Sequence, residues 1–310
     1  MRLVYSRLDR PNFGDDSFLF GIGTILNHTS LSREGRSLVL GSGTGYGDAE
    51  PAGAYPRVDF RFVRGPLNAR RMGLPAELGI CDPAILTPEV LARGADHGGI
   101  LFVPHLATDA QPLPWSRWCA AMDVEYLSPT GDSEDVIRRI SGARLVLAES
   151  MHAAIIADAY RVPWVAVQLS PGFNEFKWRD WANSLDMEFT SVHHPAAVGR
   201  VLKGLLRGRN APGEPRAAAP ASGSTKAKPA AAPGQWTRDT IAPAMKRLSL
   251  PLGLVFRGIL WQALRRRPSL SSDAVLDRKR QQLRDALDRT AEAHGAPQGS
   301  ESGARPGSHG

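Results

Sequence analysis

Cysteine, long apolar runs and the familiar nucleotide-binding and hydrolase signatures are what this chain has least of, and each scarcity closes off a class. Its two cysteines, Cys81 and Cys119, sit in apolar surroundings without CxxC spacing. That excludes a disulfide framework or a cysteine zinc site and suits a reducing compartment. No apolar stretch reaches the roughly 18 residues of a membrane span. Residues 1–16 carry neither a signal-peptide hydrophobic segment nor transit-peptide character, so a cytoplasmic protein is expected. GxSxG elbow, Walker loop and internal repeat are all missing. His193 and His194 are adjacent, so their side chains diverge on regular structure, and no metal site is expected.

Charge is present but unevenly placed. The 310 residues carry a net +7. Residues 1–206 hold 20 Lys+Arg against 23 Asp+Glu, whereas 207–310 hold 18 against 8. A basic tail beside a mildly acidic body points to an anionic surface or partner rather than to nucleic acid, which is not expected as a ligand.

Apolar patterning predicts a parallel α/β chain. Short apolar runs at 2–5, 37–40, 60–64 and 78–80 are expected as strands, with helices over 17–27, where Asp15 or Asp16 would cap the first turn, and over 67–72 behind Pro66. A second set follows a Gly-containing connection at 93–99. It has strands at 100–104, 124–127, 145–148 and 162–167, and helices at 115–122, 133–141 with Ser133 as N-cap, and 151–160. A helical segment spans 173–185, and an amphipathic helix over 196–207 closes the set. The expected organisation is thus an N-terminal Rossmann-like domain over 1–92 and a second over 97–207, facing across a cleft. Residues 208–235, rich in Ala, Pro and Gly, are expected as a disordered linker, 236–294 as a basic helical extension and 295–310 as a disordered tail. The apolar stretch 248–264 contains one charge, Arg257, between basic flanks. It fits an interfacial helix on anionic lipid and equally a helix packed on the body or a partner.

Ligands of open α/β sheets bind at the carboxyl ends of the strands. Glu149, Ser150 and His152 follow the strand 145–148 directly, at a helix N-terminus whose free N–H groups favour an anion. His152 can act as an acid or base near neutral pH. His105 ends another strand and is open to a cleft or a structural role. Arg64, Lys177 and Arg179 are candidate anion binders, Arg64 from a strand end and the others from a helix whose alternative is a solvated face. Asp15, Asp16 and Asp82 are candidates for bases or hydroxyl binders, with helix capping as the alternative. The loop Gly41-Ser42-Gly43-Thr44-Gly45-Tyr46-Gly47 lets the backbone approach a ligand, although its spacing is not the dinucleotide fingerprint and a plain flexible turn remains open.

The segments Asn12-Phe13-Gly14-Asp15-Asp16, the glycine loop, Val63-Arg64-Gly65-Pro66, Asp82-Pro83-Ala84, Val103-Pro104-His105, Glu149-Ser150-Met151-His152 and Lys177-Trp178-Arg179-Asp180-Trp181 occur in this order. Over residues 1–206 the chain resembles the polysaccharide pyruvyl transferases, most of all the succinoglycan-type ketal pyruvyltransferases. The resemblance implies two facing Rossmann-like domains similar to the GT-B arrangement. It implies transfer of the enolpyruvyl unit of phosphoenolpyruvate onto a sugar of an exopolysaccharide repeat unit as a cyclic ketal. No nucleotide, metal or cofactor is implied; phosphoenolpyruvate is a co-substrate, and the acceptor would be a lipid-linked oligosaccharide at the inner face of the plasma membrane. His152 matches the family's catalytic histidine, with Glu149 and Asp15 beside it. Arg64, Ser150, Lys177, Arg179, His105, Asn12, Asp16, Gly43 and Asp82 are implied as substrate-binding. Ser150 departs from the Arg frequent at that position, so that Lys177 or Arg179 would supply the charge. A GT-B glycosyltransferase using a nucleotide sugar, and a non-catalytic component of a polysaccharide synthase, are the alternatives.

Overall fold

The computed structural model describes residues 17–32, 35–170, 173–193 and 238–293. Its strands are β1 (Ser17–Phe20), β2 (Arg36–Leu40), β3 (Val58–Phe62), β4 (Ile100–Val103), β5 (Glu125–Tyr126), β6 (Leu145–Ala148), β7 (Trp164–Gln168) and β8 (Ser191–His193). The helices are α1 (His28–Leu31), α2 (Pro66–Arg71), α3 (Thr87–Val90), α4 (Leu106–Asp109), α5 (Trp115–Ala120), α6 (Ser133–Ser141), α7 (Met151–Ala159), α8 (Glu175–Ser184), α9 (Arg238–Arg265) and α10 (Asp273–Ala293). One sheet has the order β1-β2-β3 and the other β5-β4-β6-β7-β8, and every pairing within them is parallel. The architecture is α/β, of Rossmann-like character.

Both faces of the larger sheet are covered, which explains the continuous apolar runs of its strands. Leu101, Val103, Val146, Ala148, Trp164 and Ala166 face the core shared with α7, α8 and α10. Phe102, Leu147, Val165 and Val167 alternate with them and face the opposite core. That second core is closed by Phe256, Ile259, Leu260 and Ala263 of α9. The apolar stretch 248–264 therefore packs its inner face on the body. Fully burying a large apolar side chain contributes about 1.5–3 kcal/mol, so α9 is part of what holds the sheet. The α9–α10 connection is fastened by Asp158, fully buried, which accepts from Trp164 Nε1 at 3.0 Å and Ser271 N at 2.9 Å.

Several expectations are corrected. Over 17–27 a strand ends at Phe20 and no continuous helix forms. Gly21 and Gly23 each cost a helix about 1 kcal/mol, and Gly23 takes φ +128°, outside helical space. At 78–80 there is no strand. Ala76–Leu78 is a 3-10 turn behind Pro75, and Gly79 makes a single bridge to Val63. The cap of α6 is Asp132, which accepts from Glu134 N and Asp135 N, one residue before the expected Ser133. The strand at 2–5, the helix at 196–207, the linker and the tail lie outside the described residues.

Candidate active site

Four contacts join the segments beyond β2 and β3 to the helices α7 and α8 that follow strands of the larger sheet. Lys177 Nζ on α8 donates to the Tyr46 hydroxyl in the loop after β2 at 2.9 Å, and Asn174 Nδ2, the residue capping α8, donates to Gly45 O. Arg64 Nε, just beyond β3, lies 3.1 Å from Asp180 Oδ2 on α8. His152 Nε2, in the first turn of α7, stands 3.7 Å from Asp82 Oδ2 at the 3-10 turn Pro83–Leu86.

Arg64 is placed at the junction but does not present a free guanidinium. It is 0% exposed, and besides Asp180 it donates from Nη1 to Thr24 Oγ1 at 2.7 Å and from Nη2 to Thr44 O at 3.0 Å. Asp180 is held further by Asn68, whose backbone N donates at 2.9 Å and whose Nδ2 donates to Oδ2. Arg64 is expected from sequence to bind the anionic donor; the contacts observed for it are to protein. All three guanidinium nitrogens are engaged by protein, and the residue is a clamp between the segments after β3 and α8. Gly43 belongs to the same clamp: a Cβ there would lie 2.5 Å from Arg64 Cζ, so the missing side chain makes room for the guanidinium.

Glu149 is 1% exposed at the end of β6 and joins three strand ends. Its Oε2 accepts from His105 N at 3.0 Å, and its Oε1 accepts from Thr108 Oγ1 at 3.0 Å and Ser170 N at 2.7 Å. Burial pushes its pKa up, against those donors. On this geometry Glu149 brackets the segments that follow β4 and β7. His105 caps α4 through Nδ1, which accepts from Ala107 N at 3.2 Å. Burial, and next the Lys177 ammonium, push its pKa down to about 4, so the ring is neutral near pH 7. Lys177 itself is 7% exposed. Burial first, then the neighbouring Arg64, bring its pKa down to about 8, while Glu149 pulls the other way. A cation that is largely desolvated and held by one tyrosine hydroxyl suits an anion brought by a ligand.

The third group is His152 with Asp82. Asp82 is fully buried, and its Oδ1 caps the 3-10 turn through Ala84 N at 3.0 Å. Its Oδ2 and His152 Nε2 are both buried and without a hydrogen-bond partner. They face each other across a gap slightly too wide for a hydrogen bond. The His152 side chain is 23% exposed. Ser150 starts α7 without a side-chain cap bond. Ser42 Oγ after β2, Ser170 Oγ after β7 and the indole Nε1 atoms of Trp178 and Trp181 on α8 are likewise buried without partners. Buried polar atoms without protein partners are uncommon, and among these Asp82 Oδ2 and His152 Nε2 face each other.

Arg179 does not join these groups. It is exposed and pairs with Glu175 one helical turn away, the solvated-face alternative. Asn12, Asp15 and Asp16 lie outside the described residues. Asp180, Asn68, Tyr46 and Ser170 were not singled out from sequence. Helical spacing carries a signal for Asp180, since positions 177, 180, 181 and 184 share one face of α8 and 179 lies opposite.

Residues 6–171 match the polysaccharide pyruvyl transferase family. The chain is 34% identical over 320 residues to the succinoglycan biosynthesis protein ExoV of Rhizobium meliloti (strain 1021), a match covering 93% of this chain and 98% of that protein. No solved structure matches. The chain is a transferase belonging to the polysaccharide pyruvyl transferase family.

Proposed function

We propose that the protein moves the enolpyruvyl unit of phosphoenolpyruvate onto a sugar of an exopolysaccharide repeat unit, where two hydroxyls close a cyclic ketal. The observation that carries this is the pairing of His152 and Asp82 at the strand ends of a pyruvyl transferase chain. The biosynthetic setting comes from the relative, whose name places it in succinoglycan biosynthesis. The two sheets are taken as facing Rossmann-like halves in the GT-B manner, with the substrates between their carboxyl ends.

Proton transfer to C3 of the enol turns the methylene into a methyl group and leaves C2 electron-poor, stabilised by the attached oxygen. The first sugar hydroxyl attacks C2 and loses its proton. The C2–O bond to phosphate then breaks, and the second hydroxyl attacks the same carbon and loses its proton in turn. One of the two released protons balances the one taken up at C3 and the other leaves on phosphate. His152 is the proton donor, and Asp82 steadies the charged ring from the Nε2 side. Lys177 and the N-terminus of α7 at Ser150 hold the donor's negative charge, with neutral His105 beside them as a hydrogen-bond donor from Nε2. Asp15 and Asp16 are assigned to the sugar hydroxyls from the sequence pattern.

The test is to incubate the purified protein with phosphoenolpyruvate and a lipid-linked oligosaccharide. Phosphate release matched by an acceptor mass gain of one pyruvate less one water is expected. Turnover of a nucleotide sugar without phosphate release would overturn the proposal in favour of glycosyl transfer.

A further inference from the structure

One side of α9 closes the sheet and the other faces outward. Leu254 is 54% and Trp261 48% exposed, and Leu270, just after the helix, is 40% exposed. Leu254 and Trp261 are seven residues apart, so they stand on one stripe two turns apart. Arg257 and Arg265 lie along that stripe, and the Arg265 guanidinium sits 3.9 Å over the Trp261 ring. Arg265, Arg266 and Arg267 are all exposed. From residue 240 to residue 272 the chain has six Lys/Arg and no Asp or Glu. The outward face therefore combines separated apolar side chains with positive charge that no acid in the same segment offsets.

We infer that this face of α9 docks on an anionic lipid bilayer. Arginine and lysine are drawn to the negative potential of acidic headgroups within about a Debye length. An indole prefers the boundary between headgroup and acyl chain, where its ring is buried and its N–H stays wet. A nucleic acid would account for the arginines but leaves Leu254, Trp261 and Leu270 unused. Among the described residues no helix is long and apolar enough to cross a membrane, so contact would be along the surface. The inner face of α9 is committed to the core, which fixes the outward stripe in orientation and means the helix need not fold on arrival. The inference stands apart from the transfer chemistry, but it would hold the strand-end site close to a lipid-linked acceptor.

Full-length protein is sedimented with vesicles of phosphatidylcholine alone and of phosphatidylcholine with phosphatidylglycerol. Binding to the anionic vesicles is expected to exceed binding to the neutral ones by ~10-fold or more and to fall with added salt. Arg265→Gln/Arg266→Gln/Arg267→Gln is expected to lose ~100-fold of that binding, and Leu254→Ser/Trp261→Ser is expected to weaken it as well. Both variants change exposed side chains, so far-UV circular dichroism and phosphate release with a soluble acceptor should match wild type. Equal binding by wild type and the triple variant, absence of vesicle binding, or preference for an oligonucleotide over the vesicles would each overturn the inference. Vesicle binding without phosphate release would count against the transfer reaction and leave the docking face standing.

Discussion

Lys177 titrates at about 8 because burial and the nearby Arg64 disfavour its charge, so any anion it binds would be held in a pH-dependent way. At pH 7 roughly nine in ten side chains carry the proton, and at pH 9 roughly one in ten. If the ammonium binds the phosphate or carboxylate of phosphoenolpyruvate, kcat/KM falls about tenfold per unit above pH 8. Hydrogen bonds to charged groups contribute ~1.5–3 kcal/mol, so Lys177→Met should lower kcat/KM by ~10- to 150-fold at pH 7. The same variant should remove the decline between pH 8 and 9.5. Lys177→Arg should keep part of the activity and shift the decline upward, because guanidinium stays charged. Stability gives an independent sign check. The folded-state pKa lies below the unfolded one, so between about 8 and 10.5 the unfolded chain holds more protons than the folded chain. This group's contribution to ligand-free stability therefore rises with pH across that window. Steady-state kinetics against phosphoenolpyruvate decide the matter. A flat wild-type profile to pH 10, or a Lys177→Met variant as active as wild type, would refute the argument.

Three further outcomes follow from the packing at the junction. Asp180→Ala leaves the buried Arg64 without its counter-charge and should cost ~3–5 kcal/mol in urea unfolding; a loss under ~1 kcal/mol would show that the clamp is not holding the two segments. Gly43→Ala forces a methyl against Arg64 and should cost ~1–3 kcal/mol, while Gly53→Ala, where a Cβ meets nothing, serves as the control. Asp82→Asn keeps an acceptor for Ala84 N but removes the charge facing His152. It should lower kcat by ~10-fold or more with little change in KM, and an unchanged kcat would separate Asp82 from catalysis.

The unit running from β6 through α7 into β7 was legible because its signals agree. An uninterrupted apolar run, a polar turn and an apolar helix each have one reading, and the observed ends lie within two residues of the expected ones. The segment after Asp16 was not, since Phe18, Leu19 and Phe20 suit strand and helix alike and only the backbone demanded at Gly23 decides. Arg64 was recognised as a strand-end cation, but what uses its charge is Asp180, 116 positions later in the sequence. No local pattern reports a partner at that separation. The outer face of α9 shows the opposite limit: its charge was plain in the sequence, while the burial of its inner face depends on the sheet it covers.

On the proposed mechanism His152 delivers the proton to the enol carbon. The direct measurement is kcat and KM for phosphoenolpyruvate in His152→Gln, with product formed in deuterium oxide examined for label in the new methyl group. The account predicts a kcat lower by ~100-fold or more, a KM changed only a few-fold, and one deuterium per transferred pyruvyl group in the wild-type product. A His152→Gln enzyme with wild-type kcat would contradict it.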